Sequence, residues 1–220
     1  MLVKTNRRLR ALGACLAFAA CSVAHAQNLI TNGDFSAGNT GFTSQYTYKP
    51  PPATGQGQYF VGADPHGWYG PFPSFFDHTT GTAAGSMMMV DAGTITPSLV
   101  VWSQNILVTP NTGYNFSLWL ANIGATNVAK LDISINGTSI GGVVNSTGSS
   151  NWQSFTRNWN SGASTSALIE LRDTQINANG NDFALDDIRL VAVPEPGTLA
   201  LMIVPAVALP LWRRRRKAPA

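Results

Sequence analysis

The sequence predicts an all-β fold of two packed antiparallel sheets, and three observations carry that expectation. Charged residues make up only 11% of the 220, while 21 glycines and 13 prolines stand where a helical bundle would want Ala, Glu, Lys and Leu. From Gln27 to Leu190, runs rich in β-branched and aromatic residues alternate with Gly, Asn, Ser and Pro punctuation. No window there keeps helical spacing over ten or more residues. With 44% apolar content, a chain this long holds one ordinary domain beside export or anchoring segments, which excludes a large multidomain enzyme.

Taken in chain order, residues 1–26 read as a secretory signal peptide. Lys4 to Arg10 supply the basic start, Ala11 to Val23 the apolar stretch and Ala24-His25-Ala26 the small-residue cleavage site for a signal peptidase. Cleavage after Ala26 removes both cysteines, Cys15 and Cys21, and leaves a domain without disulfide or thiol chemistry. Phe18-Ala-Ala-Cys21 is an imperfect lipobox, so lipidation of Cys21 stays open as the alternative.

The domain, residues 27–191, follows. Strands are expected at 28–31, 58–62, 86–91, 99–108, 113–122, 129–135, 152–159, 166–172 and 182–191. In 113–122, Tyr114, Phe116, Leu118 and Leu120 share the core face, and Asn115, Ser117, Trp119 and Ala121 share the other. Leu131, Ile133 and Ile135 repeat the alternation up to Asn136-Gly137, a pair suited to a type I′ turn, so a hairpin should join Ile135 to Ile140. Phe183 and Leu185 have one parity, Ile188 and Leu190 the other; the slip at Asp186-Asp187 predicts a bulge that re-aims an acidic side chain.

The last stretch, residues 192–220, begins with Val193-Pro194-Glu195-Pro196-Gly197. An apolar run from Thr198 to Trp212 and the basic cluster Arg213, Arg214, Arg215, Arg216 and Lys217 complete it. The run is short beside the ~20 residues a spanning helix needs, and Pro205 and Pro210 weaken it. By the positive-inside rule the arginines stay cytoplasmic and the domain lies on the outer side of the inner membrane, as the signal peptide also requires. These three parts in order resemble the PEP-CTERM sorting signal of Gram-negative bacteria. The resemblance implies recognition by an exosortase, cleavage near Pro-Glu-Pro, and release to the cell surface or the exopolysaccharide matrix. A plain C-terminal anchor is the other reading.

A second resemblance covers nearly the whole domain. Asn28-Leu-Ile-Thr-Asn-Gly-Asp-Phe35, Thr109-Pro-Asn-Thr-Gly-Tyr-Asn-Phe-Ser-Leu-Trp119, Trp152-Gln-Ser-Phe155 and Phe183-Ala-Leu-Asp-Asp-Ile188 look like a jelly-roll, carbohydrate-binding-module-like domain of the galactose-binding type. The stretch Asp77-His-Thr-Thr-Gly-Thr82, with Met87-Met-Met-Val90 and Val101-Trp-Ser-Gln104, also resembles a bacterial surface-protein variant of it, largely without known ligand. In that fold the first and last strands lie side by side, which implies that Asp34 sits near Asp186 or Asp187. Such modules often hold a structural calcium there, and Asn181 and Asp182 could join the oxygen ligands it favours. The other reading makes Asp34 a turn cap and the Asp pair a solvated strand end bridged to Arg189.

Charge and motifs narrow the function. Nine of the 14 basic residues sit at the chain ends, and Gln27 to Leu190 carries a net −5, from five basic and ten acidic residues. Nucleic acid is therefore excluded as a partner. Sugar binding needs flat aromatic faces beside polar groups. Residues 46–76 hold nine aromatics, among which Trp68-Tyr69 between two glycines is the expected platform, with Trp119 next; the alternative is that this loop folds back and buries its rings. Trp102, Trp152 and Trp159 are expected to pack. His66 and His78 lack further His or Cys for a zinc site, and no Gly-x-Ser-x-Gly, His-Glu-x-x-His or complete phosphate loop occurs. The expectation is a non-catalytic exported sandwich that binds polysaccharide. A ligand-free structural matrix protein, or a hydrolase using Asp77, His78 or the Asp186 pair, are the alternatives.

Overall fold

The computed structural model describes residues 27–194, apart from 53, 94–98, 125, 145–147, 149 and 178. The expected signal peptide lies outside the described residues. So does the sorting segment beyond Pro194, including Glu195, Pro196 and Arg213 to Arg216. Among the described residues, no helix is long and apolar enough to cross a membrane.

Among the described residues ten strands form: β1 Thr47–Tyr48, β2 Gln58–Gly62, β3 Met87–Asp91, β4 Val100–Leu107, β5 Gly113–Asn122, β6 Lys130–Ile135, β7 Thr138–Val144, β8 Trp152–Asn160, β9 Ser166–Asp173 and β10 Phe183–Ala192, with one short helix, α1 Pro65–Trp68, between β2 and β3. The six-stranded sheet runs β1-β2-β3-β10-β5-β8 and the four-stranded sheet β4-β9-β6-β7. From β3 onward the chain repeatedly switches sheets and gives the orders 3-10-5-8 and 4-9-6-7, the jelly-roll arrangement of eight strands. The fold is a β-sandwich, as the alternation predicts.

Side-chain parity builds the core. Tyr114, Phe116, Leu118 and Leu120 of β5 are buried, as are Leu131, Ile133 and Ile135 of β6 and Ala167, Ile169 and Leu171 of β9; all join one cluster. Each large apolar side chain so buried contributes about 1.5–3 kcal/mol relative to an exposed one. Asn136 and Gly137 both have positive φ, 52° and 76°, and close the β6–β7 hairpin as the type I′ turn requires. Asp187 has φ 49°, and the pairing of β10 with β5 shifts register between Asp186 and Arg189. The predicted bulge is present there.

One expected strand does not form. Residues 28–31 give only an isolated bridge, Asn28 to Val191, with Leu29 N–H donating to Leu190 O at 2.9 Å. The chain does lie beside β10 but turns away after it. Asn28 Oδ1 accepts from Ile30 N–H, the Gln104 side chain takes Thr31 N–H, and Asn32 turns at φ 54°. These local bonds replace the ladder.

Candidate functional site

The outer face of the six-stranded sheet decides where a ligand can reach. Residues 63–86 fold across it, beginning at α1, where Asp64 caps by accepting from His66 N–H at 3.0 Å and Pro65 occupies the first turn. A second apolar cluster forms beneath: Trp68, Met87, Met89, Ile123 and Ala184, with Phe60, Phe72, Phe75 and Trp152 packed against it. Trp68 is only 1% exposed, and its indole N–H donates to Lys49 O at 2.9 Å. This corrects the expectation of a Trp68 platform. Its flanking glycines do not lift the ring into solvent, because the methionine-rich outer face of β3 offers it an apolar bed. Tyr69 stays 37% exposed but stands edge-on to Phe72, with ring centroids 5.2 Å apart. Trp119 lies on the outer face as expected, half-buried, with His78 stacked on it at 3.7 Å and 16°. One indole face is thereby closed to a sugar.

The loop that brings His78 to Trp119 also engages the bulge. Asp186, fully buried, accepts at Oδ2 from His78 N–H at 2.8 Å, Thr79 N–H at 3.0 Å and Thr79 O–H at 3.3 Å, and at Oδ1 from Asp187 N–H at 2.8 Å. Burial pushes its carboxyl up to about 6 against the pull of these donors, so near neutral pH it remains a caged anion. Asp187 meets His78 Nδ1 at 2.7 Å through Oδ2 and the Arg189 guanidinium at 2.9 Å through Oδ1. Burial alone would raise Asp187, but the His78 and Arg189 contacts hold it below its usual range. The Arg189 bridge is the one foreseen for a strand end, though the Asp pair is buried rather than solvated. Asp77, next to His78 in the chain, accepts from the N–H and hydroxyl of Thr80 at 2.7 and 2.8 Å and caps its own turn.

Asp34 and Asp187 both line one cleft of about 330 Å³ that also includes Asn28, Asn32, Thr79 and Arg189. Gly33 permits it. A β-carbon at that position would collide with the Ile188 carbonyl, and Ile188 N–H donates to Gly33 O at 2.9 Å. Most polar atoms of the wall are already committed: Asn28 to Ile188 O and to the Ile30 and Leu190 N–H groups, and Asn32 to Ala37, Gly38 and Thr40. Asp34 uses Oδ1 for Ser36, and Arg189 uses one amino group for Asp187. Both residues line the cleft, and the other Asp34 oxygen and the remaining Arg189 N–H groups are left available as acceptor and donors.

For calcium at Asp34, Asp186 and Asp187 the donor set does not fit. Asp186 has both oxygens taken by N–H and O–H donors, and Asp187 has both taken by ring or guanidinium nitrogens. Among the described residues no three His, Cys, Asp or Glu side chains gather to hold a metal. The sequence missed His78 as the partner of Asp187 because 109 positions separate them and only the bulge aligns them.

Comparison with known proteins adds fold information alone. No protein-family model matches the chain. No curated protein matches it either. Among solved structures, the chain is similar to a Stig cyclase, Fisc, from Fischerella sp. TAU in complex with (3Z)-3-(1-methyl-2-pyrrolidinylidene)-3H-indole. Identity is 12% and TM-score 0.55, over 77% of this chain and 99% of that one. It is also similar to the CBM22-1 xylan-binding domain from Paenibacillus barcinonensis Xyn10C, at 13% identity and TM-score 0.46, covering 77% and 97%. A carbohydrate-binding module of type CBM4 matches at 17% and 0.42, covering 74% and 99%. The first likeness agrees with the sandwich described above; the two weaker ones add nothing to it.

Proposed function

We propose that this chain is an exported, non-catalytic glycan-binding module, carried outward by its N-terminal signal and handled at its C-terminus by a PEP-CTERM and exosortase route to the cell surface or matrix. The observation that supports binding is the cleft between the N-terminal turn and the bulge, where Asp34 and Arg189 offer an acceptor and donors within about 330 Å³. That size falls at the lower end of the ~300–1,000 Å³ usual for small-molecule sites. Sugar hydroxyls both give and take hydrogen bonds, so a carboxylate and a guanidinium across one cleft suit them. The sorting proposal rests on the Pro194-Glu195-Pro196 element, the apolar run and Arg213 to Arg216.

The test is a glycan array probed with the full chain and with its Asp34→Ala and Arg189→Ala variants. Both substitutions trim exposed or half-exposed groups. Each is expected to weaken binding to a responding polysaccharide by tenfold or more, since an interaction to a charged group carries about 1.5–3 kcal/mol. Unchanged binding in both variants rejects the cleft. A ligand-free structural role is the second reading, favoured by the burial of Trp68, and an array without any responding glycan supports it.

A further inference from the structure

We propose that Asp91 and Asp182 are the carboxylates of a calcium-binding site that is separate from the Asp34–Asp187 cleft, with Gln58 and Asn181 as neutral oxygen ligands. Register places the first three together. Gln58 pairs with Asp91 across β2 and β3, and the pairing of Phe183 with Val90 extends to put Asp182 beside Asp91. The two carboxyl groups are within hydrogen-bonding reach of each other. None of the ion pairs among the described residues includes either one. A buried and a half-buried acidic group side by side, without a cation, repel unless a proton or a metal joins them.

Unmatched oxygens provide the independent observation. Asp182 is 92% buried and its Oδ1 has no hydrogen-bond partner; Gln58 is half-buried, and its covered Oε1 likewise has none. Asn181, next to Asp182, is fully buried with neither Oδ1 nor Nδ2 partnered. Leaving such atoms unmet in a folded interior is unfavourable for each group. All the oxygens are hard donors: two carboxylates and two amide oxygens, with Thr54 O–H already on Asp91 Oδ2 at 2.7 Å. Calcium takes six to eight oxygens of these kinds, with water filling the rest, whereas zinc would ask for His or Cys. A metal-bound water would also meet the Asn181 amide.

Thermal melting of the full chain in excess EGTA and in rising Ca²⁺ reads the site directly. A hundredfold excess of free Ca²⁺ over its dissociation constant is expected to raise Tm by about 5–10 °C. Asp182→Asn, which keeps the shape and removes one charge, should abolish the shift while still folding in EGTA; Asn181→Ala should shrink it. Asp34→Asn should keep it whole, so the outcome is independent of the glycan array. No shift in the unaltered chain overturns the proposal. An unreduced shift in Asp182→Asn, or a shift lost in Asp34→Asn, overturns it as well, the latter by moving the ion to the cleft.

Discussion

At its bulge β10 sets Asp186 and Asp187 among backbone N–H groups, a hydroxyl, an imidazole and a guanidinium, while just ahead of its start Asp182 lies beside Asp91 with polar atoms left over. Both ends are acidic and buried, so acidity alone does not mark a ligand site. The bulge spends its carboxylates on holding the His78–Thr79 loop down, and the strand start leaves its own without protein donors enough. The difference assigns a structural role to the pair that looked like a metal site in the sequence. The proposed calcium falls instead to Asp91 and Asp182, of which the sequence pointed only to Asp182.

The largest expected effect breaks or confirms this contrast at once. Asp186→Ala strands the His78, Thr79 and Asp187 N–H groups without an acceptor, and urea unfolding should show a loss of about 3–5 kcal/mol. Asp182→Asn in EGTA removes like-charge repulsion and should stay within about 1 kcal/mol of the unaltered chain. Equal destabilisation by both would make the two ends equivalent.

A second, smaller effect is read from pH. Asp173 lies in the interior at the end of β9, where Tyr46 O–H reaches it at 3.4 Å. Burial pushes it up to about 6, against the bonds from Gln175 N–H and Tyr46. A carboxyl whose folded value exceeds its unfolded one of about 3.9 binds its proton more tightly in the fold. Its contribution is therefore full below about pH 4 and lost as pH rises through about 6. The stability advantage of Asp173→Asn over the unaltered chain should grow across that window, by about 2–3 kcal/mol, and stay flat above it. At the bulge, Asp187 is held below its usual range, so its contribution is present above the unfolded value and lost on acidification. Asp187→Asn should flatten the acid side instead. Single variants are needed, because Asp186, pushed up to about 6, shares the sign of Asp173.

The same contrast shows what the sequence could tell. Period-two alternation in 113–122 and 129–135 needs only local neighbours, and both strands stand where expected. The parity slip at Asp186-Asp187 is likewise local and gave the bulge. Residues 28–31 depart from the expected strand because Ile30 N–H goes to Asn28 Oδ1 and Thr31 N–H to the Gln104 side chain, bonds that a β-rich run does not reveal. Trp68 depended on an apolar bed supplied by β3 and β10, so its neighbours in the chain were silent about its burial. Asp91 and Asp182 are 91 positions apart, and only the β3–β10 pairing makes them one pair.

The smallest effect concerns His78, which joins the loop to the bulge through Asp187 and to the sheet through Trp119. Removing the ring in His78→Ala takes away one charge-assisted hydrogen bond and one stacked contact and should cost about 1–2 kcal/mol in urea unfolding. The freed Trp119 face should change the tryptophan emission, because the imidazole no longer covers it at 3.7 Å. Since the strand-start end shares no hydrogen bond with His78, the calcium-dependent rise in Tm should survive intact. A variant that loses that rise together with its emission signature would make the ends of β10 one cooperative unit, with the bulge governing the metal ligands ahead of it in the chain.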